Sequence, residues 1–254
     1  MENMRIIRLA EIRLSENTRS NFPDPVLSIF ATLAFAANEV TNLQAFFLMS
    51  KDDAPQDDII KKKSKIQKFV LTRALNAKVF EAFECLDKSK MLLTTHCLDD
   101  HLPLFLSEIF ESEQLKSRQG FEVAKAIRNH ATNHYIPQVV YKNRRRVAEN
   151  GDHSLYLHQS SGDSFYPFGE EFVFGSLLNK IAKDRGQDLN QIVEEWMNWS
   201  ISASSQITKT FEVLARECLE RYAPSLCAYE RTPYLEPELD GGFRNNSLPL
   251  FYSI

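Results

Sequence analysis

A long helical pattern that begins directly after Asp24-Pro25 constrains the fold more than any other feature of this sequence. Apolar residues recur there every three or four positions until about Ser50, which is the spacing of one face of an α-helix. Asp24 can cap this helix, and Pro25 suits its first turn. The segment is therefore predicted to be a long buried helix.

Similar patterns predict four more helices. These extend over about Ile59 to Lys88, from Leu115 or Phe121 to the residue before Pro137, over Glu170 to Arg185, and over Asp188 to Tyr222. Residues 89–106 are less regular, with Pro103 as a helix breaker, and are predicted to hold a short helix or a loop. Two short apolar runs around a Ser-Gly-Asp turn predict a small β-hairpin insertion over residues 154–168.

Composition supports an all-α fold. The 254 residues include only 8 glycines and 10 prolines, too few for the turns of a large sheet protein, and 43% hydrophobic residues are too many for a disordered chain. Residues 1–254 are predicted to form a single domain, with a helical core over about residues 24–222 and a C-terminal extension, residues 223–254, packed on its surface. The aromatic residues predicted to pack in the core are Phe30, Phe35, Phe46 and Phe47, while Trp196 and Trp199 are predicted to lie in the core or at a dimer interface.

Charge, cysteine spacing and hydropathy exclude several classes of protein. The formal net charge of −4 argues against a protein coated in positive charge that holds long nucleic acid nonspecifically. The four cysteines show no CxxC spacing and are predicted to be reduced thiols. The N-terminus has no signal-peptide pattern, and polar residues interrupt the best apolar stretch, Pro25 to Met49. The protein is therefore predicted to be cytoplasmic, without a membrane span.

The run from Arg128 to Tyr135 carries the residues best suited to chemistry. Arg128 is followed at once by Asn129 and, after four more residues, by His134 near a predicted helix end. A guanidinium can hold a scissile phosphate through paired hydrogen bonds and stabilise the charge that develops on it. A histidine that titrates near neutral pH can accept the proton of a ribose 2′-hydroxyl or protonate the leaving oxygen.

This arrangement resembles the signature of the HEPN domain family, in which Arg is followed by Asn, Asp or His and then by His near the end of a long bundle helix. The resemblance implies a HEPN-like helical bundle and a metal-independent RNA endonuclease without a cofactor. It implies a homodimer with a shared cleft and a product that ends in a 2′,3′-cyclic phosphate. Arg128 would bind phosphate, His134 would be the general acid or base, and Asn129 would support them. A role in a toxin-antitoxin or defence system, with an antitoxin or regulatory protein as partner, follows from the resemblance alone.

The spacing of the motif favours a dimeric site. Residues six apart lie roughly 120° from one another around a regular helix, so Arg128 and His134 do not align easily on one helix. The length of the arginine side chain, a helix end before Pro137 and a second subunit can each relieve this difficulty.

RNA contacts are predicted to extend beyond the catalytic residues. The candidate substrate-binding residues are His130, Asn133, Tyr135, Arg144, Arg145 and Arg146. The three arginines can extend a phosphate-binding surface and make RNA affinity sensitive to salt, although a solvated loop is the alternative for such a run. A related HEPN subgroup carries a modified tyrosine two residues beyond the histidine, and this sequence departs from that pattern because Tyr135 follows His134 directly.

Two other functions use the same residues. His130 and His134 are four residues apart, which is the spacing of two metal ligands on one helical face, although Ala131 stands where an HExxH site carries glutamate. That pair would belong to a metal-dependent hydrolase. The other alternative is a noncatalytic helical module that binds RNA, a nucleotide or a protein through the same cleft. A second group of possible ligands around His96, Cys97 and His101 matches no metal-site spacing and is predicted to be structural.

Overall fold

The structure is a computed structural model that describes residues 5–9, 12–49, 57–96, 101–109, 115–116, 118–132, 137–157, 159, 164–226 and 232–236. The described chain is mainly helical, which confirms the predicted all-α character. The α-helices are α1 (Glu16–Arg19), α2 (Asp24–Met49), α3 (Asp58–His96), α4 (His101–Ile109), α5 (Phe121–Ile127), α6 (Pro137–Asn143), α7 (Pro167–Glu170), α8 (Ser176–Arg185) and α9 (Leu189–Tyr222). Two π-helical segments, Arg128–Thr132 and Glu171–Gly175, follow α5 and α7, and short 3-10 helices cover Arg144–Arg146 and Pro224–Leu226.

The three long helices α2, α3 and α9 pack against one another and enclose the core. On α2 the buried residues recur every three or four positions, so they form one apolar stripe along the helix. The buried side chains of that stripe are Val26, Ile29, Leu33, Ala37 and Val40. On α3, Leu75, Val79 and Ala82 are fully buried. Helices α4, α5 and α8 pack against α9, and α4 and α7 pack against α3.

Helix α9 has strong start signals and an aromatic core face. Asp188 and Gln191 form a capping box, in which the Asp188 side chain accepts from backbone N–H groups and the Gln191 side chain accepts from the Asp188 N–H. Trp196 and Trp199 are fully buried, and the Trp199 indole N–H donates to the Leu115 carbonyl at 3.0 Å. These contacts confirm a core position for both tryptophans.

Gly120 fixes how closely α5 approaches α9. Its φ is +98°, and a Cβ at this position would lie 2.3 Å from the Glu195 carbonyl oxygen and 2.9 Å from the Trp199 Cβ. Only glycine combines that backbone conformation with that approach. The buried residues of α5 are Val123, Ala124 and Ile127. The next residue along the chain, Arg128, therefore lies at the edge of the core.

Several predicted helix boundaries are wrong. Helix α3 continues to His96 rather than ending near Lys88. Of the two alternatives for the irregular stretch, the short helix is the one observed, as α4, with Pro103 in its first turn. Proline is tolerated there because the first N–H groups of a helix have no intrahelical acceptor. The third predicted helix loses its α-helical form at Arg128, and Pro137 begins α6 instead of only closing the helix before it.

The prediction that the α2 phenylalanines all pack in the core is also wrong. Phe30 packs against the core, but Phe35 is 65% exposed and Phe46 is 38% exposed. Both lie on the side of α2 opposite the buried stripe, which composition alone does not distinguish.

By length and composition α2 is a candidate membrane span over Asp24–Phe47, contrary to the prediction that no stretch qualifies. Core helices meet the same criterion.

A single antiparallel bridge lies where the hairpin was predicted, and the hairpin itself stays a prediction. Tyr156 and Phe165 exchange two backbone hydrogen bonds of 3.0 Å, and their rings stack with centroids 4.5 Å apart. The turn residues 160–163 and His158 lie outside the described residues. Lys62 of α3 donates to the Tyr156 hydroxyl and contacts Asp152 at 3.0 Å, and these hydrogen bonds raise its pKa. Lys62 therefore ties the start of α3 to the segment that carries the bridge.

A strand pair joins segments near the two ends of the chain, which the sequence did not predict. Strand β1 (Arg5–Leu9) pairs antiparallel with β2 (Thr232–Glu236), and Ile7 lies opposite Tyr234. Most of the predicted C-terminal extension lies outside the described residues. Its packing on the surface stays a prediction.

Candidate functional site

Arg128 stands where the α5 helix changes its hydrogen-bonding pattern. Residues Phe121–Ile127 are α-helical, and Arg128–Thr132 form a π-helical segment. Single π-turns of this kind are rare in helices and frequently lie at functional sites. The roughly 120° separation expected for residues six apart in a regular helix therefore does not apply from Arg128 onward.

The Arg128 guanidinium is held by long contacts. Nη2 donates to Glu84 Oε1 at 3.3 Å, and Nη1 donates to Asn129 Oδ1 at 3.4 Å. The Nε atom is buried and has no hydrogen-bond partner among the described residues. The Arg128 side chain is 30% exposed. A guanidinium has five N–H donors, so this one retains the capacity to bind an anion.

Two residues that the sequence analysis missed fix the position of Arg128. Asn76 of α3 is fully buried, and its Nδ2 donates at 2.8 Å to the Ala124 carbonyl, which also accepts from the Arg128 N–H. Glu84 contacts Arg128 with Oε1 and lies 3.6 Å from Lys88 through Oε2. The sequence could have indicated Asn76, because it is a single amide within an apolar stretch of α3. No feature of the sequence indicates that Glu84 contacts Arg128.

Glu84 also lines an open cleft between α2 and α3. The cleft has a volume of about 440 Å³, with Ile29 and Leu92 among its apolar lining. Its polar lining residues are Ser28, Thr32, Glu81, Glu84, Lys88 and Ser89. Cys85 also lines the cleft, but burial raises the pKa of its thiol, so it lacks the thiolate character of a catalytic nucleophile. Through Glu84, the cleft adjoins the candidate catalytic arginine.

The structure brings some predicted site residues together and leaves others undescribed. Arg128 and Asn129 are in contact, and His130 is exposed on the π-helical segment beside them. Asn133, His134 and Tyr135 lie outside the described residues. The distance between Arg128 and His134, and any use of His130 with His134 as metal ligands, therefore stay predictions.

The three arginines form an ordered basic segment rather than a loop. Arg144–Arg146 make a 3-10 helix directly after α6, and all three are exposed. The Asn179 side chain of α8 donates to the Arg146 carbonyl at 3.0 Å, which fixes the segment to the bundle. Helix α6 packs against α8 and the Glu171–Gly175 π-helix.

Two further histidines, His101 and His153, have structural contacts. His101 Nε2 lies 3.0 Å from Glu217 Oε1, and its ring stacks on Phe105. His153 packs edge-on against Phe172. Among the described residues no group of three or more His, Cys, Asp and Glu side chains is arranged to hold a metal ion. Cys97 and its acidic neighbours lie outside those residues.

No protein-family model, curated protein or solved structure matches this sequence. The site must therefore be interpreted from its own residues and geometry.

Proposed function

We propose that this chain is a HEPN-like, metal-independent endoribonuclease with Arg128, Asn129 and His134 as its catalytic residues. The proposal rests on the position of the Arg128 side chain and on its hydrogen bonds. Its guanidinium lies at the bundle surface on a π-helical turn. Among the described residues its buried Nε has no hydrogen-bond partner, and its other contacts are 3.3 and 3.4 Å long. An arginine placed in this way is suited to exchange weak protein contacts for stronger, charge-assisted bonds to a phosphate.

The reaction follows from the chemistry of the three residues. Arg128 binds a non-bridging oxygen of the scissile phosphate and stabilises the charge that develops on it. His134 accepts the 2′-hydroxyl proton or donates a proton to the leaving 5′-oxygen. The 2′-oxygen bonds to phosphorus while the bond to the 5′-oxygen breaks, which gives a 2′,3′-cyclic phosphate and a 5′-hydroxyl end. Asn129 Oδ1 orients the guanidinium.

Glu84 is the positioning residue in this scheme. Its carboxylate contacts Arg128 in the absence of RNA, and it lies on the side of the α2–α3 cleft. When phosphate binds, Glu84 retains Lys88 as a neighbouring cation. Replacing Glu84 by glutamine keeps the shape of the side chain but weakens its attraction for the Arg128 guanidinium. We therefore expect the affinity of the protein for phosphate to change in this variant.

The wider parts of the proposal rest on the resemblance to the HEPN family. A second copy of the chain would complete the cleft and bring two copies of the motif together. The enzyme would act in the cytoplasm, within a toxin-antitoxin or defence system that includes an antitoxin or regulatory protein. We include the homodimer because the resemblance implies a cleft shared by two copies, and the π-helical turn at Arg128 removes the separate argument from regular helical spacing.

The test is cleavage of an end-labelled RNA in EDTA by the wild type, Arg128→Ala, His134→Ala and His130→Ala. We expect the Arg128 and His134 variants to lose at least about a hundredfold in rate, as removal of one oxyanion donor or acid-base group commonly does. Arg19→Ala, which removes an exposed arginine on α1, is the matched control and should cleave normally.

Each alternative function gives a different result in this assay. RNA binding without cleavage by the wild type would favour the noncatalytic module. Activity that EDTA abolishes and that His130→Ala also abolishes would favour the metal-dependent hydrolase. Cleavage unchanged by both Arg128→Ala and His134→Ala would refute the proposed site.

A further inference from the structure

A stacked aromatic-arginine pair lies on the surface at the end of α6. Tyr141 is 66% exposed, which makes it the most exposed aromatic side chain among the described residues. The Arg144 guanidinium carbon lies 3.9 Å from the centroid of the Tyr141 ring, and its Nη1 donates to the Tyr141 carbonyl oxygen. The two side chains are three residues apart, so helical geometry brings them to one side of the segment.

This pair belongs to a strongly basic stretch of an acidic protein. Residues 137–148 contain Lys142, Arg144, Arg145 and Arg146 but no carboxylate, although the chain as a whole has a net charge of −4. Among the described residues no carboxylate lies within ion-pair distance of Lys142, Arg144 or Arg145. Lys142, Arg144 and Arg145 are therefore not neutralised by acidic side chains of the described residues, and this exposed surface should attract a polyanion.

The segment is held in place before any ligand binds. Helix α6 packs on α8 and on the Glu171–Gly175 π-helix, and Asn179 donates to the Arg146 carbonyl. The hydrogen bond from the Arg144 guanidinium to the Tyr141 carbonyl ties this side chain to the last turn of α6. An aromatic ring already stacked on a guanidinium loses little further side-chain freedom when a ligand stacks on it.

We infer that Tyr141 and Arg144 form a subsite for single-stranded RNA, with a base stacked on the pair and phosphates bound by the surrounding arginines. This inference deepens the proposed function, on which it rests, by naming single-stranded RNA as the substrate class. Bases stack on aromatic and guanidinium planes only when they are unpaired and splayed from their neighbours. A duplex would use the positive charge but not the exposed ring, and an acidic protein segment would also leave the ring without a specific role.

The subsite lies within reach of the candidate catalytic residues. Five peptide units join Thr132 to Pro137 and span at most about 18 Å, and four helical residues then add about 6 Å to reach Tyr141. The Tyr141 Cα is therefore no more than about 24 Å from the Thr132 Cα. At roughly 3.4 Å per nucleotide of one strand, this distance corresponds to at most about seven nucleotides. One short strand can thus contact both Tyr141 and the motif.

The test is the affinity of the full chain for a fluorescent single-stranded oligoribonucleotide, measured by anisotropy in EDTA. To prevent cleavage, every protein in this assay also carries His134→Ala. Tyr141→Ala should weaken binding at least about fivefold, the lower end of the range for one stacked base. Tyr141→Phe should bind within about twofold of the parent. Tyr166→Ala, which removes a tyrosine 51% exposed outside the basic segment, is the matched control and should bind normally.

Salt dependence separates stacking from phosphate contacts. Arg144→Ala should reduce the slope of log affinity against log salt by about 0.7, the contribution of one phosphate contact on a single strand. Tyr141→Ala should weaken binding with little change of that slope. Circular dichroism of each variant should match the parent, because both side chains are on the surface.

The inference is overturned if the parent protein does not bind single-stranded RNA, or if Tyr141→Ala binds as tightly as the parent. It is also overturned if a hairpin duplex or polyglutamate competes as well as the single strand, since that result would show attraction by charge alone. The endonuclease proposal fails differently, through the absence of RNA cleavage by the wild type. Binding that depends on Tyr141 would then persist without catalysis.

Discussion

Substitution of Gly120 by alanine should destabilise the protein strongly, because two separate effects meet at this residue. The first is backbone strain, since φ is +98° and a left-handed conformation costs a residue with a Cβ about 1–2 kcal/mol. The second is steric overlap, since the new Cβ would lie 2.3 Å from the Glu195 carbonyl oxygen. That atom belongs to the backbone of α9 and cannot rotate away. Forcing extra volume into such a contact typically costs about 1–3 kcal/mol.

Two other glycines provide controls that separate these effects. Gly186 has φ of +63° but open space around it, so Gly186→Ala should show only the strain of about 1–2 kcal/mol. Gly169 lies in α7 with open space and no positive φ, so Gly169→Ala should be neutral or stabilising by up to about 1 kcal/mol. Gly120→Ala should exceed both, at about 2–5 kcal/mol when the two effects are added.

The assay is thermal unfolding followed by circular dichroism under identical conditions for the four proteins. For a chain of this size, 1 kcal/mol shifts the melting temperature by roughly 2–4 °C, so Gly120→Ala should melt at least about 4 °C below the wild type. The expected order is Gly169→Ala at or above wild type, then Gly186→Ala, then Gly120→Ala. A Gly120→Ala protein that melts within about 2 °C of the wild type would refute the close approach of α5 to α9.

Three further predictions concern the core and its polar groups. In urea unfolding, Trp199→Phe should lower the free energy of unfolding more than Trp196→Phe does. The Trp199 indole N–H donates to a buried carbonyl, while the Trp196 indole N–H has no partner among the described residues. Equal losses in the two variants would contradict this prediction. Arg73→Lys should cost about 1–2 kcal/mol, since lysine cannot reproduce the two bonds of 2.6 and 2.9 Å to Glu170, and the loss should vanish in a Glu170→Gln background. Burial raises the pKa of Cys218 from 9.0 to about 12. The thiol of the unfolded chain therefore ionises at a lower pH than the thiol of the folded chain. The difference in free energy of unfolding between the wild type and Cys218→Ala should shrink as pH rises from 9 towards 12. A difference that stays constant over this range would argue against burial.

The long helices could be predicted from the sequence because each has a periodic apolar face. The pattern after Asp24-Pro25 located α2 to within a residue or two, and the Asp188 region located the start of α9. Boundaries failed where proline was treated only as a helix breaker. Pro103 and Pro137 both lie in the first turn of a helix, where the missing N–H has no consequence.

Which side of a helix is buried was harder to predict than the helix itself. Phe35 and Phe46 are apolar residues on an apolar helix, yet they are exposed, because α3 and α9 cover only the opposite side of α2. That outcome depends on the arrangement of other helices and has no local signal. The same reason explains the strand pair of β1 and β2, since its two partners are more than 220 residues apart in sequence.

In the candidate site, too, the sequence predicts contacts between neighbouring residues but not contacts that depend on how the helices pack. The sequence placed Arg128 beside Asn129, and their side chains are in contact. It gave no indication that Glu84 and Asn76 of α3 would contact this segment, because both contacts depend on how α3 and α5 pack. The π-helical turn at Arg128 was also unexpected, and it changes the angular relation on which the argument for a dimer was first based.

The most direct test of the central proposal is cleavage, in EDTA, of an RNA in which the ribose at the preferred cleavage position carries hydrogen instead of the 2′-hydroxyl. The account predicts that the unmodified RNA is cut to a 2′,3′-cyclic phosphate end and that the 2′-deoxy RNA is not cut at that position. Cleavage of both RNAs at the same rate, or cleavage only after a divalent metal is added, would contradict it.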